Sequence, residues 1–161
     1  MKTRKLTIMA LCIALAMVLS FVESQIPAFV AVPGVKVGLA NIAVIYALYK
    51  LGWKEACVIS IIRVLLVSLL FGSIMSMFYS LAGAALSLTG MCILKHIDKF
   101  STVAVSVTGG ILHNVGQIGM ACILLETDVL RYYLPFLLFS GIIAGIVTGI
   151  VAAILIERVK I

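Results

Sequence analysis

Six runs of apolar residues fill almost the whole chain, and they leave only one solvent in which it can fold. They extend from about Leu6 to Val22, Val37 to Tyr49, Trp53 to Phe71, Met75 to Leu94, Val103 to Leu125 and Tyr132 to Ile156. A helix needs ~20 mostly apolar residues to cross ~30 Å of hydrocarbon, and five of the six runs approach or exceed that length. Charged residues make up 11% of the chain, against about 25% in a typical soluble domain. Too little polar surface exists to clothe a water-soluble domain, whereas lipid favours an apolar exterior over helices that satisfy their own backbone. The expected fold is all-α: one polytopic transmembrane domain over residues 1–161, a bundle of six transmembrane helices.

The charges that remain predict its orientation. Lys2, Arg4, Lys5, Lys50, Lys54, Lys95, Lys99, Arg158 and Lys160 fall at one set of run ends, and only Lys36 and Arg131 at the other. The basic side is normally cytoplasmic, so both termini are expected inside, with Glu126 and Asp128 outside. The net charge of +6 is thus a topology signal, and no stretch is basic enough to follow a nucleic-acid backbone. The basic start and first apolar run resemble a secretory leader. The small residues Ala14 and Ala16 are followed by more apolar sequence, however, which predicts an uncleaved first span. The expected location is the plasma membrane, as a multi-pass protein.

Between the first two runs lies an apolar loop rich in proline and glycine, with Pro27, Pro33, Gly34 and Gly38. Such residues oppose regular helix, and the loop is read as a lid folded onto the bundle or a membrane-hugging connector. The second run is short. Thirteen residues rise only ~20 Å as a helix, and short, Pro/Gly-flanked spans often border a substrate site. Glu23, Lys36 and Asn41 lie around this break.

Arg63 sits near the middle of the third run. A central arginine costs ~2.5–3.5 kcal/mol even on lenient insertion scales, so it must face a partner such as Glu23, helix-end carbonyls, a water-filled cavity or a ligand. In the fifth run Ser106, Gly110, His113 and Gln117 follow spacings of four, three and four. They therefore share a helix face, with Asn114 beside it. That stripe is either a ligand surface or polar glue between helices. Gly141, Gly145 and Gly149 form a four-residue ladder, as do Ser76, Ser80 and Ala84, and both suit close helix packing. The four cysteines lie within apolar runs, with no metal-ligand spacing, and read as packing residues.

Several chemistries are excluded. The chain has no phosphate-binding loop with its lysine and Ser/Thr, so it hydrolyses no ATP itself. Asp98 and Asp128 are its only aspartates and lie at opposite faces, which leaves no carboxylate pair to hold magnesium against a diphosphate. His113 has no acid in its own run. No catalytic residue, metal or cofactor is expected.

The run from Pro33 to Ile42, with Arg63, Gly72, Ser80 to Gly83, and His113-Asn114-x-x-Gln117, resembles the bacterial family called heptaprenyl diphosphate synthase component I, or the Gx transporter family. The resemblance spans nearly the whole chain. One name implies a non-catalytic membrane accessory subunit in menaquinone or isoprenoid biosynthesis. The other implies an importer, and the layout is similar to the substrate-binding S components of energy-coupling-factor transporters. In those proteins an Ala-x-x-x-Ala step, here Ala10 and Ala14, contacts a shared transmembrane subunit, while separate ATPases supply energy. The expected function is therefore a solute-binding subunit of a vitamin-type importer, with the synthase subunit as the alternative. The expected site comprises Glu23, Lys36, Asn41, Arg63, Ser80, His113, Asn114 and Gln117, and suits a small, anionic or polar-headed solute.

Overall fold

The structure is a computed structural model that describes residues 2–25 and 38–159. Those residues form six α-helices: α1 (Lys2–Gln25), α2 (Asn41–Lys50), α3 (Trp53–Phe71), α4 (Ile74–Ile97), α5 (Thr102–Leu124) and α6 (Leu134–Arg158). A short 3₁₀ turn, Val129–Tyr133, leads into α6. The helix boundaries follow local chemistry. Ser73 caps α4 by accepting from the Ser76 N–H, and the Ser76 hydroxyl accepts from the Ser73 N–H in return. Ser101 caps α5 on the Ala104 N–H. α2 and α3 join through Leu51 and Gly52, where a φ of +121° calls for glycine.

Four segments, Thr3–Glu23, Ile74–Ile97, Thr102–Leu124 and Val129–Arg158, are long and apolar enough to cross a membrane. Of the six expected spans, α2 and α3 fall outside this group. α2 has ten residues, and α3 carries Lys54, Glu55 and Arg63. The exterior is apolar, as lipid demands: Leu69 is 71% exposed, Ile123 72% and Phe139 63%.

The helices close into a ring. α1 packs on α3, α3 on α4, α4 on α5 and α5 on α6, while α2 fits between α1, α3 and α6. Every residue of α2 from Ile42 to Leu48 is buried. A helix apolar on all sides can be buried on all sides, and α2 carries no charge over that stretch. The ten residues rise ~15 Å, about half the hydrocarbon thickness. The segment begins four residues later than its apolar run implied, because Gly38–Ala40 forms a turn with Gly38 at φ +72°.

Two contacts fix which ends lie together. Lys5 pairs with Glu55, joining the starts of α1 and α3. The Lys95 ammonium donates to the Leu48 carbonyl, bringing the end of α4 against the end of α2. At the other end of the bundle, the Glu23 carboxylate accepts the Gly38 N–H and ties the end of α1 to the approach to α2.

On the far side of the ring, glycines let α4, α5 and α6 touch backbone to backbone. A Cβ on Gly116 would lie 2.8 Å from the Ala82 oxygen, and one on Gly110 2.6 Å from the Gly141 oxygen. Gly145 and Gly149 press on Val107 and Val103 in the same way. The glycine ladder of the sixth run is thus a packing device, as its spacing suggested. The four cysteines carry no disulfide; Cys12 is buried and the others are partly buried.

Candidate functional site

The ring of helices does not close on a solid centre. It encloses a cavity of about 130 Å³ to which all six helices contribute. A single water needs only ~10–15 Å³, so the space accommodates several waters or a small organic group. Because α2 spans only half the bundle, its first residue, Asn41, reaches the cavity wall.

Seven of the eight sequence-predicted site residues line this one cavity. Glu23 arrives from the end of α1, Asn41 from the start of α2, Arg63 from α3 and Ser80 from α4, with His113, Asn114 and Gln117 from α5. Lys36 lies outside the described residues. The partner-contact residues Ala10 and Ala14 are elsewhere, exposed on the outer face of α1.

Each wall has a local cause. Arg63 stands ten residues beyond Trp53, ~15 Å along α3, at mid-depth. Its Nε is buried and has no hydrogen-bond partner among the described residues. Glu23, held by the Gly38 N–H, supplies an opposing charge within electrostatic reach of it. On α5, His113 and Gln117 are admitted by Gly83 of α4, where a Cβ would stand 2.7 Å from the His113 oxygen and 2.9 Å from Gln117 Cγ. The outer edge between α1 and α3 is formed by Phe21 and Phe71, with ring centres 5.2 Å apart.

The polar stripe of α5 has two jobs, divided along its length. Ser106, at the cavity floor, is buried and shares a 3.0 Å hydrogen bond with Thr148 of α6. Thr148 in turn donates to the Ala144 carbonyl. This lower part is inter-helix glue. Asn114 lines the cavity and also donates from Nδ2 to the Leu137 carbonyl at 2.6 Å; Gly141 leaves the room for it.

Sequence reasoning did not place Ser20, Ser68, Ser76, Ser87 or Thr148 at the cavity, yet all five line it. Two signals pointed to three of them. Ser76, Ser80 and Ser87 share one face of α4 at helical spacing, and Thr148 falls seven residues beyond Gly141 on the ladder face. That face of α4 serves the cavity as well as helix packing. Among the described residues, no three His, Cys, Asp or Glu side chains come together to hold a metal.

A difference between neighbouring amides follows. Gln117→Leu is expected to lower affinity for a cavity ligand by up to tenfold, the loss of one hydrogen bond worth ~0.5–1.5 kcal/mol, with an unchanged thermal melt. Asn114→Leu is expected to lower both affinity and melting temperature, because the Leu137 carbonyl also loses its donor. Binding titrations paired with melts on the purified variants check both.

The apolar exterior, long helices and central polar cavity define an all-helical membrane protein with a chamber inside its own helix ring. The family profile described as heptaprenyl diphosphate synthase component I matches residues 12–155, and the chain belongs to that family. No curated protein and no solved structure shows a significant match.

Proposed function

We propose that this protein is a non-catalytic membrane subunit whose working element is the central cavity, which holds one small molecule. One observation carries the reading: polar side chains from six helices converge on a single space in a bundle whose outside is apolar. Polar groups left unpaired at membrane depth cost several kcal/mol, so a bundle that needed only stability would be better filled with leucine. The lining would then contact the ligand through Glu23, Asn41, Arg63, Ser80, His113, Asn114 and Gln117.

The family description supplies the setting. In it the chain is an accessory component of a heptaprenyl diphosphate synthase, next to a separate catalytic component that makes the prenyl diphosphate. A second reading keeps the cavity and changes the partner: a solute-binding subunit of an importer. It is favoured by Ala10 and Ala14, which face outward on α1 where another helix can approach closely. Gentle extraction with a tag on this chain separates the two. Recovery of a soluble prenyltransferase supports the synthase setting. Recovery of a membrane partner with ATPases, lost in the double variant Ala10→Leu and Ala14→Leu, supports the importer.

The proposed topology has six membrane-embedded helices in the plasma membrane with both ends inside. Single cysteines placed in a background lacking Cys12, Cys57, Cys92 and Cys122 test it. An impermeant reagent added to sealed cells should label position 128 and spare positions 52 and 97. Labelling at 52 would reverse the arrangement.

A further inference from the structure

Among the described residues lining the cavity, Arg63 is the one lysine or arginine and Glu23 the one carboxylate. The Arg63 guanidinium projects from the middle of α3, and its Nε is buried without a hydrogen-bond partner among the described residues. A guanidinium offers five donors in a planar fork and no acceptor, so the group that completes it must bring acceptor oxygens. Glu23 carries the opposing charge near it, and its carboxylate accepts the Gly38 N–H. The start of α2 enters the same cavity and adds the positive end of a helix dipole. Its first two N–H groups already bond the Gly38 and Leu39 carbonyls, so it contributes field rather than hydrogen bonds. Beyond Arg63, α3 lines the cavity with Val64, Val67 and Phe71, interrupted by the one hydroxyl of Ser68.

We propose that the cavity receives an amphipathic anion, with a carboxylate or phosphate group seated on the Arg63 fork and a short apolar body against Val64, Val67 and Phe71. Glu23 is the internal rival for Arg63 in the empty protein and gives way when the anion enters. This inference rests on the ligand-holding role proposed above and adds the chemistry of the ligand. A carboxylate and a phosphate share the paired oxygens that match the fork, and the test distinguishes them.

The probes are three molecules with the same five-carbon body: dimethylallyl diphosphate, 3-methylbut-2-enoate and the neutral alcohol 3-methylbut-2-en-1-ol. Each is titrated calorimetrically into the purified full chain in a non-ionic detergent, with thermal melts as folding control. At least one anion is expected to bind at least tenfold more tightly than the alcohol, and which one does so names the head group. Arg63→Gln should remove that preference. Arg63→Lys should restore part of it, because lysine keeps the charge and lacks the fork. Glu23→Gln should move affinity the other way, raising it severalfold, since the amide oxygen can still accept the Gly38 N–H while the rival charge is gone. Equal affinity for anions and alcohol in the natural protein overturns the inference, as does undiminished anion binding in a folded Arg63→Gln protein. If the alcohol alone binds, the anion inference fails and the ligand-holding role stands. If none binds and the protein carries no small molecule from the cell, both fail.

Discussion

Gly145→Leu is expected to drive α5 and α6 apart. A Cβ at position 145 would stand 2.5 Å from Val107 Cα, 3.0 Å from Val107 N and 3.1 Å from the Ser106 oxygen. All three are backbone atoms of α5, so no side chain can rotate away and the helix itself must move. Overpacking of this kind costs ~1–3 kcal/mol and sometimes more, and a leucine pressed on backbone belongs at the upper end. The same displacement would break the Ser106–Thr148 hydrogen bond at the cavity floor. For a chain of this size ~3 kcal/mol corresponds to a melting temperature lower by roughly 10 °C. Gly119→Leu is the matched control. A Cβ there meets nothing within 4 Å, and the position is exposed, so stability should stay within ~0.5 kcal/mol. Thermal melts of the two variants in one detergent make the comparison. An unchanged melt for Gly145→Leu would mean that α5 and α6 do not pack as described.

The contrast between these two glycines shows what the sequence could and could not disclose. The ladder Gly141, Gly145, Gly149 was legible as close packing because its spacing keeps one helix face small. Nothing in the sequence says which helix the face meets. That depends on the closing of the ring, a long-range property. The third apolar run matches α3 to the residue because Gly52 and Gly72 bound it, whereas α1 and α4 run three residues past their apolar stretches, since polar residues continue a helix at the membrane surface. The shortness of α2 was visible, and so was the suspicion of a site beside it. Its complete burial was not, because a buried helix and a short lipid-facing one are equally apolar. Likewise Arg63, His113 and Gln117 were identifiable as costly in lipid, and they do meet at one cavity. The bond from Asn114 to the Leu137 carbonyl was not foreseeable, because any backbone carbonyl can serve as the acceptor. Ser68, Ser87 and Thr148 do not stand out as cavity residues in the sequence, because small hydroxyl residues are also ordinary helix-packing residues.

The second large effect is expected from filling the space. Ser80 lines the cavity from the first third of α4 and is not part of the α4 capping pair. Ser80→Trp would place an indole in a cavity of about 130 Å³ without touching the Gly83, Gly110, Gly141 and Gly145 contacts that hold α4, α5 and α6. The ring should still close, at a cost within the ~1–3 kcal/mol range for added core volume, and the folded protein should no longer take up a ligand. Ser80→Ala is the companion variant. It removes one hydroxyl and leaves the space, so any loss of affinity should stay within the ~0.5–1.5 kcal/mol of a single hydrogen bond. Abolished binding in the tryptophan variant, beside near-normal binding in the alanine variant, separates occupancy of the cavity from contact with one side chain. A tryptophan variant that binds normally would move the site away from the bundle centre.

The claim that the helix ring exists to hold a small molecule is tested most directly by native mass spectrometry of the gently extracted protein, beside its Ser80→Trp variant. The natural chain should carry a small molecule of defined mass at one copy per protein, and the variant, folded by its melt, should lack that mass while keeping the same bound lipids. A natural chain bearing only lipid, or a variant that retains the same adduct, would contradict the account.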